Sequence, residues 1–343
     1  VKALVLTAYD QLEYLDVPEP SVGPQDVLVQ VKACGICGSD VHGMDGSTGR
    51  RIPPIIMGHE AAGIIVRTGS SVSEWREGDR VTFDSTVSCG HCRFCSQGAI
   101  NLCERRRVLG VSCQEFRQDG AYAEYVAVPQ NILYRLPDGL SFEHAAMVEP
   151  VSVAVHAVRR VPVGLDDTAV VVGAGMIGLL AVQVLRAAGC GRVFAIEVDP
   201  RRRDLALRLG ASEAFSPEDT DVLSVLRHRT EGRGADLAIE AVGIPATVAL
   251  AVAAVRKGGS VGLVGNLAAK TELPLQAVVT RELTLYGSCA SSGEYPACLG
   301  LMARGAVHVD PLVSAVVPLA EAAGWFERLR RRDEGLLKVI VRP

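Results

Sequence analysis

The sequence carries little charge of either sign in excess: 35 basic and 39 acidic residues among 343 leave a net charge of −4. So small an imbalance argues against the broad cationic footprint of a nucleic-acid binder. No window approaches about 18 uninterrupted apolar residues, so no membrane-spanning helix is expected. The first residues, VKALVLTAYD, lack the basic start, apolar core and small-residue cleavage site of a secretory signal, and a cytoplasmic location is the expectation. Internal repeats and low-complexity segments are absent, which argues against solenoids and linkers. With 48% hydrophobic residues, the chain is too apolar to be disordered. At roughly 100–200 residues per domain, its length suggests two domains.

Against these absences stand ten cysteines. Disulfide frameworks belong to short secreted chains, and this chain is neither. Cys89, Cys92, Cys95 and Cys103 fall within fifteen residues, Cys34 and Cys37 form a close pair, and Cys113, Cys190, Cys289 and Cys298 are scattered.

The texture changes along the chain. Residues 1–7, 11–17, 26–33, 60–66 and 80–84 read as short strands punctuated by Pro and Gly. Residues 85–120 form a long, Cys- and Arg-containing loop, and such loops are usually functional or tied down. Strands return at 121–128 and 131–135, and helices are expected at 142–148 and 151–161. From Thr168 strands (169–172, 192–196, 235–241, 260–264) alternate with helices (176–188, 200–209, 219–230, 245–255). That alternation implies an α/β unit with a parallel sheet covered on both faces. The basic run Arg328–Arg332 reads as a solvated helix face.

Val172-Gly173-Ala174-Gly175-Met176-Ile177-Gly178 is a strand running into GxGxxG and then an apolar helix. The acidic Glu197 ends the next strand 19 residues after Gly178. This is the context of a dinucleotide site. Gly173 permits the tight turn, Gly175 lets backbone approach a pyrophosphate, and Gly178 lets helix and strand pack closely. The helix N-terminus offers free N–H groups to phosphates. A carboxylate at Glu197 accepts from ribose hydroxyls and repels a 2′-phosphate, so NAD is expected over NADP. Arg201, Arg202 and Arg203 lie nearby, and Arg can hold that phosphate.

Four closely spaced thiols at Cys89, Cys92, Cys95 and Cys103 suit a closed, tetrahedral, structural zinc; iron–sulfur ligation uses the same donor set. A second, dispersed set comprises Cys34-Gly35-Ile36-Cys37-Gly38-Ser39-Asp40-Val41-His42, Gly58-His59-Glu60 and Glu149-Pro150. Its mixed donors suit a catalytic zinc, with three protein ligands and one open position.

Taken together these motifs resemble the zinc-containing medium-chain alcohol dehydrogenase superfamily, and most of all its sorbitol/polyol branch. The resemblance runs through the whole chain. It implies a GroES-like β-rich catalytic domain at 1–150 and 285–343, carrying a structural-zinc lobe at about 85–110. It implies a Rossmann domain at 151–284, with the active site in the cleft between the two. Cys37 and His59 match catalytic-zinc ligands, and Glu60 and Glu149 match carboxylates that ligate that zinc in the polyol branch. Asp40 matches the carboxylate that orients His59, a role that fixes the tautomer and raises ligand basicity. Cys89, Cys92, Cys95 and Cys103 match the structural-zinc lobe, giving two zinc ions per chain. Val264, Ser288 and Ala290 match positions whose backbone contacts the nicotinamide carboxamide, and Arg202 is included among the cofactor contacts. The branch is commonly tetrameric and some relatives are dimers, so a homo-oligomer is expected.

Hydride transfer needs an alkoxide, and zinc lowers the pKa of a bound alcohol toward neutrality. Ser39 is placed to take the substrate's hydroxyl proton, and His42, three residues on, to hand it to solvent, as an imidazole readily does near neutral pH. The expected substrate is a small alcohol of the polyol or sugar type. Sorbitol dehydrogenases carry an Arg-Tyr pair after the Gly matching Gly287, but the sequence here is Gly287-Ser288-Cys289-Ala290-Ser291-Ser292. That weakens sorbitol itself and leaves other sugars, sugar phosphates, cyclitols, amino alcohols and simple secondary alcohols. Arg50 and Arg51 read as solvated loop residues. The competing readings are a threonine-type amino-alcohol dehydrogenase and a protein that binds NAD and zinc without catalysis. Cys34, Cys113, Cys190, Cys289 and Cys298 read as reduced packing residues.

Overall fold

The computed structural model describes residues 1–343 except 114, 115, 332 and 334, and only the backbone of 113 and 116. The chain forms two compact units. One comprises 1–149, 295–303 and 309–343; the other comprises 150–294 and 304–308. No helix among the described residues is long and apolar enough to cross a membrane.

The first unit is built on the strand Asp26–Gly35. Its run VLVQVKACG is apolar on both faces where it is covered, and it pairs antiparallel with Glu60–Thr68, Tyr125–Pro129 and the last strand, Lys338–Arg342. The sheet continues through Arg80–Phe83 to Leu133–Arg135 on one side, and to Val313–Pro318 on the other. Its core packs Leu28, Val29, Val31, Ile65, Phe83, Tyr122 and Phe326. Register matters for chemistry here. Gly35 stands opposite both Glu60 and Ile340, which brings Glu60 and the last strand beside the Cys37 turn. The expected loop at 85–120 contains a four-residue helix, Arg93–Ser96, and the short strands Thr86–Val87, Arg107–Val108, Val111–Cys113 and Phe116–Gln118.

The second unit carries a six-stranded, wholly parallel sheet. Its spatial order is Glu213–Phe215, Arg192–Ile196, Thr168–Val172, Ala235–Glu240, Val255–Leu263, Thr284–Gly287. Numbered within the unit this is 3-2-1-4-5-6, the doubly wound order whose ligands sit at the carboxyl ends of the strands where the order reverses. The reversal lies between Thr168–Val172 and Ala235–Glu240, so Gly173 and Ala241 flank it. Helix Met176–Ala188 buries Leu179, Leu180, Val182 and Leu185, and ends on Gly189 at φ 108°. Residues 285–294 lie with this unit, because Thr284–Gly287 pairs with Val255–Leu263. The short strands Glu213–Phe215 and Thr284–Gly287 have no counterpart in the sequence reading; each holds too few residues to show a period.

The basic run lies at the end of helix Ala322–Arg330. Arg328, Arg330 and Arg331 pair with Asp333, Asp10 and Glu327, while Arg332 lies outside the described residues. Of the packing cysteines, Cys34, Cys190 and Cys298 are buried, and the side chain of Cys113 is not described. Cys289 is exposed, contrary to the packing role expected of it, because it follows the edge strand Thr284–Gly287.

Candidate active site

Cys37 ends the turn after the central strand and caps the helix Gly38–Gly43; the Ser39 N–H donates to its sulfur at 3.5 Å. His59 follows Gly58, whose φ of 98° and whose closeness to Tyr122 (2.8 Å from a Cβ built at Gly58 to Tyr122 N) require glycine. Strand pairing then sets Glu60 opposite Gly35. A Cβ on Gly35 would lie 2.2 Å from Glu60 Oε2, so the missing side chain makes room for this carboxylate. The result is one donor atom each from Cys37, His59 and Glu60 within 4.8 Å of one another.

Glu149 is the second residue of the helix Val148–Arg160 and is partly buried. Burial, helped by the nearby Glu60 and Asp84 carboxylates, pushes its carboxyl up to about 7, against the pull of His59 and Lys338. The thiol, imidazole and carboxylate of Cys37, His59 and Glu60 match the donor chemistry of zinc, while Glu149 lies outside that 4.8 Å set. These residues fit the metal that the motifs imply.

Around these donors lies a charged shell that the sequence reading only partly found. Asp40 is fully buried and lies 3.5 Å from His59 Nδ1. Its Oδ2 also faces the Tyr122 hydroxyl at 2.9 Å. Its Oδ1 accepts from Arg51 Nε at 3.0 Å and Nη2 at 2.6 Å. Burial alone would raise the Asp40 carboxyl, but the His59 and Arg51 charges outweigh it and hold the group well below the usual range. Arg51 is therefore no solvated loop residue: it is 4% exposed, drawn in by this carboxylate. No sequence motif marks Lys338. Its Nζ donates to Glu60 Oε1 at 2.8 Å, to Oε2 at 2.6 Å and to Ile36 O at 3.0 Å. Its one signal was a lone cation inside the apolar run Leu336-Leu337-Lys338-Val339-Ile340-Val341.

Ser39 is exposed, and its hydroxyl donates to Cys37 Sγ at 3.3 Å. His42 is exposed three residues later on the same short helix, hence on the same face.

The second donor set is compact. The ligand atoms of Cys89, Cys92, Cys95 and Cys103 lie within 4.8 Å of one another. Cys92 Sγ and Cys95 Sγ are 3.5 Å apart, and Cys89 Sγ and Cys95 Sγ 3.9 Å. Tetrahedral zinc with bonds of about 2.3 Å sets its sulfurs about 3.8 Å apart. Backbone N–H groups of Cys89 and Arg105 donate to Cys103 Sγ at 3.2 and 3.3 Å. The Cys95 N–H is the chief influence holding the Cys92 thiol down to about 6. The four thiols fit a zinc ion.

In the second unit, Gly173 has φ 91°, and Gly175 caps the helix that opens with Met176, Ile177 and Gly178. Glu197 Oε2 accepts from Ala174 N at 2.8 Å and Oε1 from Asp199 N at 3.0 Å, which fixes the carboxylate beside the glycine turn. The three arginines separate. Arg201 turns to Asp199, and Arg203 donates to the Glu197 and Val198 carbonyls. Arg202 Nη1 lies 4.0 Å from where a Gly175 Cβ would be. Val264 N donates to Glu240 O, and Ser288 N to Leu263 O, which ties both residues to the carboxyl ends of neighbouring strands. The Ser288 hydroxyl oxygen is buried without a hydrogen-bond partner, and Ala290 has a φ of 53°.

A β-rich unit holding two zinc-type donor sets, with a doubly wound unit holding a glycine turn and a fixed carboxylate, defines a metal-dependent nucleotide-linked dehydrogenase. Residues 23–138 match the alcohol dehydrogenase GroES-like domain, and residues 177–304 match the zinc-binding dehydrogenase family. The sorbitol dehydrogenase of Bacillus subtilis (strain 168) is 34% identical over 348 residues, covering 100% of this chain and 97% of that protein. Galactitol-1-phosphate dehydrogenase from Escherichia coli superposes with a TM-score of 0.92 at 27% identity, covering 100% of both chains. A Sinorhizobium meliloti 1021 protein bound to NADP gives a TM-score of 0.92 at 33% identity, covering 100% of this chain and 99% of that one. The chain belongs to the zinc-containing medium-chain alcohol dehydrogenase superfamily, in its polyol dehydrogenase branch. It is an oxidoreductase acting on CH–OH donors.

Proposed function

We propose that this enzyme oxidises a secondary alcohol of a polyol- or sugar-type substrate with NAD. The observation that carries this reading is the convergence of Cys37, His59 and Glu60 within 4.8 Å, with Ser39 touching the Cys37 sulfur. Cys37, His59 and a carboxylate from Glu60 or Glu149 would hold the catalytic zinc, and Cys89, Cys92, Cys95 and Cys103 the structural one. When bound, the zinc supplies Lewis acidity toward the substrate hydroxyl, and NAD supplies the hydride acceptor. Asp40 orients His59. Ser39 Oγ would accept the proton that leaves the substrate hydroxyl as it gives up the one it holds toward Cys37 Sγ, and His42, exposed one helical turn on, would pass a proton to solvent.

The preference for NAD is supported by Glu197. Each of its oxygens accepts one backbone N–H and keeps a lone pair for a ribose hydroxyl. Two of the three arginines that could have met a 2′-phosphate are committed to Asp199 and to backbone carbonyls. Arg202, whose Nη1 lies 4.0 Å from where a Gly175 Cβ would be, would meet the pyrophosphate. The stretch 287–292 carries no Arg, so polyols recognised through a guanidinium there are poor candidates. The relatives' substrates, sorbitol and galactitol 1-phosphate, set the range to search.

The test is a panel of polyols, sugar phosphates, amino alcohols and simple secondary alcohols, with NAD and NADP in parallel, alongside metal analysis. Two zinc ions per chain and NAD-linked oxidation of a polyol or sugar alcohol are expected. Cys37→Ala is expected to retain one zinc and to lose at least about 10³-fold in kcat/KM, because Lewis acid stabilisation amounts to several kcal/mol. Full activity in Cys37→Ala, or turnover confined to amino alcohols, would contradict this reading.

A homo-oligomer is also proposed. Thr284–Gly287 ends its sheet with one edge unpaired among the described residues. Leu273, Leu275 and Val279, just before it in sequence, are 41%, 62% and 65% exposed. Unpaired edges and clustered exposed apolar side chains favour association. Light scattering should give a dimer or tetramer, and a monomer at micromolar concentration would refute this.

A further inference from the structure

We propose that Arg51 is a positioning residue for catalysis, holding Asp40 and Ser39 in register with the metal-binding side chains. This rests on the reading that Cys37 and His59 bind the catalytic zinc. The guanidinium makes three kinds of contact at once. Nε and Nη2 both donate to Asp40 Oδ1, at 3.0 and 2.6 Å. Nη2 also lies 3.4 Å from Ser39 Oγ, and Nη1 donates to the Arg50 carbonyl at 3.0 Å. Occupying Oδ1 leaves Oδ2 to face His59 Nδ1 and the Tyr122 hydroxyl. The donation to Ser39 Oγ uses one of its lone pairs and leaves its proton directed at Cys37 Sγ, 3.3 Å away. One planar side chain thus fixes which Asp40 oxygen meets the histidine and which way the serine hydroxyl points. An ammonium is a point donor and cannot reproduce the fork.

The backbone makes room for this clamp. Gly43 closes the short helix that carries Ser39, Asp40 and His42. A Cβ there would lie 3.0 Å from Arg51 Cγ and 3.2 Å from Thr48 Oγ1. The arginine stem crosses the helix at the residue that lacks a side chain. The far end of the loop is pinned as well: Ser112 N donates to Arg50 O, and Ser112 Oγ bonds both N and O of Ile52. A guanidinium that is 4% exposed and has Nε, Nη1 and Nη2 each donating to an acceptor is held in place, as positioning requires.

The test compares zinc-loaded wild type, Arg51→Lys and Gly43→Ala. It uses the alcohol the wild type oxidises best and, separately, the rate of zinc release to excess chromogenic chelator. Arg51→Lys keeps the charge and loses the fork. It is expected to lower kcat about tenfold or more with KM within about twofold, and to speed zinc release about tenfold. Gly43→Ala leaves every charge in place but pushes the arginine stem, and is expected to move both quantities the same way by less. If both variants keep wild-type kcat and zinc release while only the melting temperature falls, Arg51 is a structural ion pair and the proposal is overturned. Should Arg51→Lys not fold, Gly43→Ala decides: unchanged kcat and zinc release overturn the proposal. Failure of the underlying reading shows up separately, as wild type that binds no zinc through Cys37, and the proposal then falls with it.

Discussion

Lys338→Met is expected to lower the unfolding free energy of the metal-free protein by about 3–5 kcal/mol, the usual cost of stripping one partner from a buried ion pair. The ammonium is 4% exposed and the Glu60 carboxylate 1%. Burial alone would depress the lysine, but Glu60 outweighs it and keeps Lys338 above its ordinary value. With methionine in place, the carboxylate keeps its burial and loses both short contacts from Nζ. Little can relax around it, because it lies against the backbone of Gly35 within a paired strand. Two comparisons separate this cause from mere repacking. Glu60→Leu with Lys338→Met should recover most of the loss, since a well-packed apolar pair replaces a buried ion pair at little cost. The single variant should also lose less when zinc is bound, because Glu60 lies within 4.8 Å of the Cys37 and His59 donors and a cation there is a second counter-charge. Denaturant midpoints with and without zinc measure both. A loss below about 1 kcal/mol in the metal-free protein would mean that the pair carries no more than an exposed one.

How far the sequence revealed this site depends on how far apart its parts are in the chain. The four-thiol lobe and the glycine turn were legible because their chemistry depends on spacing within fifteen residues or fewer, and few folds other than zinc and dinucleotide sites call for such patterns. Cys37, His59, Glu60 and Glu149 were legible mainly through resemblance. Any one Cys, His or Glu has an ordinary structural explanation, and only strand register, with Gly35 opposite Glu60, brings the first three together. Lys338 and Arg51 were missed for the same reason. Lys338 meets Glu60 across 278 residues of sequence, through a strand whose pairing no local pattern announces. Arg51 sits in a Gly-, Ser- and Arg-containing stretch that looks like a solvated loop, and its burial follows from a carboxylate eleven residues away. The alternation of strands and helices after Thr168 showed the parallel sheet. Its two edge strands, of three and four residues, were too short to register a period.

Gly178→Ala is expected to weaken nucleotide binding by on the order of 10²-fold, and Gly175→Ala to weaken it by a different route. A Cβ on Gly178 would fall 1.8 Å from the Gly173 carbonyl oxygen, where real Cβ contacts essentially never come under 3.0 Å. Neither atom is the free end of a side chain, so the strand Thr168–Val172 and the helix Met176–Ala188 must separate by more than 1 Å to admit it. The helix N-terminus and its N–H groups move with that separation. Misplacement by about 1 Å costs on the order of 10²-fold where geometry is tight, and overpacking adds about 1–3 kcal/mol of destabilisation. Gly175 is different. It caps the helix at φ −72°, and the nearest atom to an added Cβ is Arg202 Nη1, 4.0 Å away. The folded protein can therefore accept alanine there within about 0.5 kcal/mol, the range of substitutions that disturb no packing. What the methyl group obstructs is the approach of a pyrophosphate to the backbone. Calorimetric titration with NAD and thermal melts without it give the decisive pattern: Gly178→Ala loses both affinity and melting temperature, and Gly175→Ala loses affinity alone. Wild-type NAD affinity in Gly175→Ala would move the phosphate seat away from this turn.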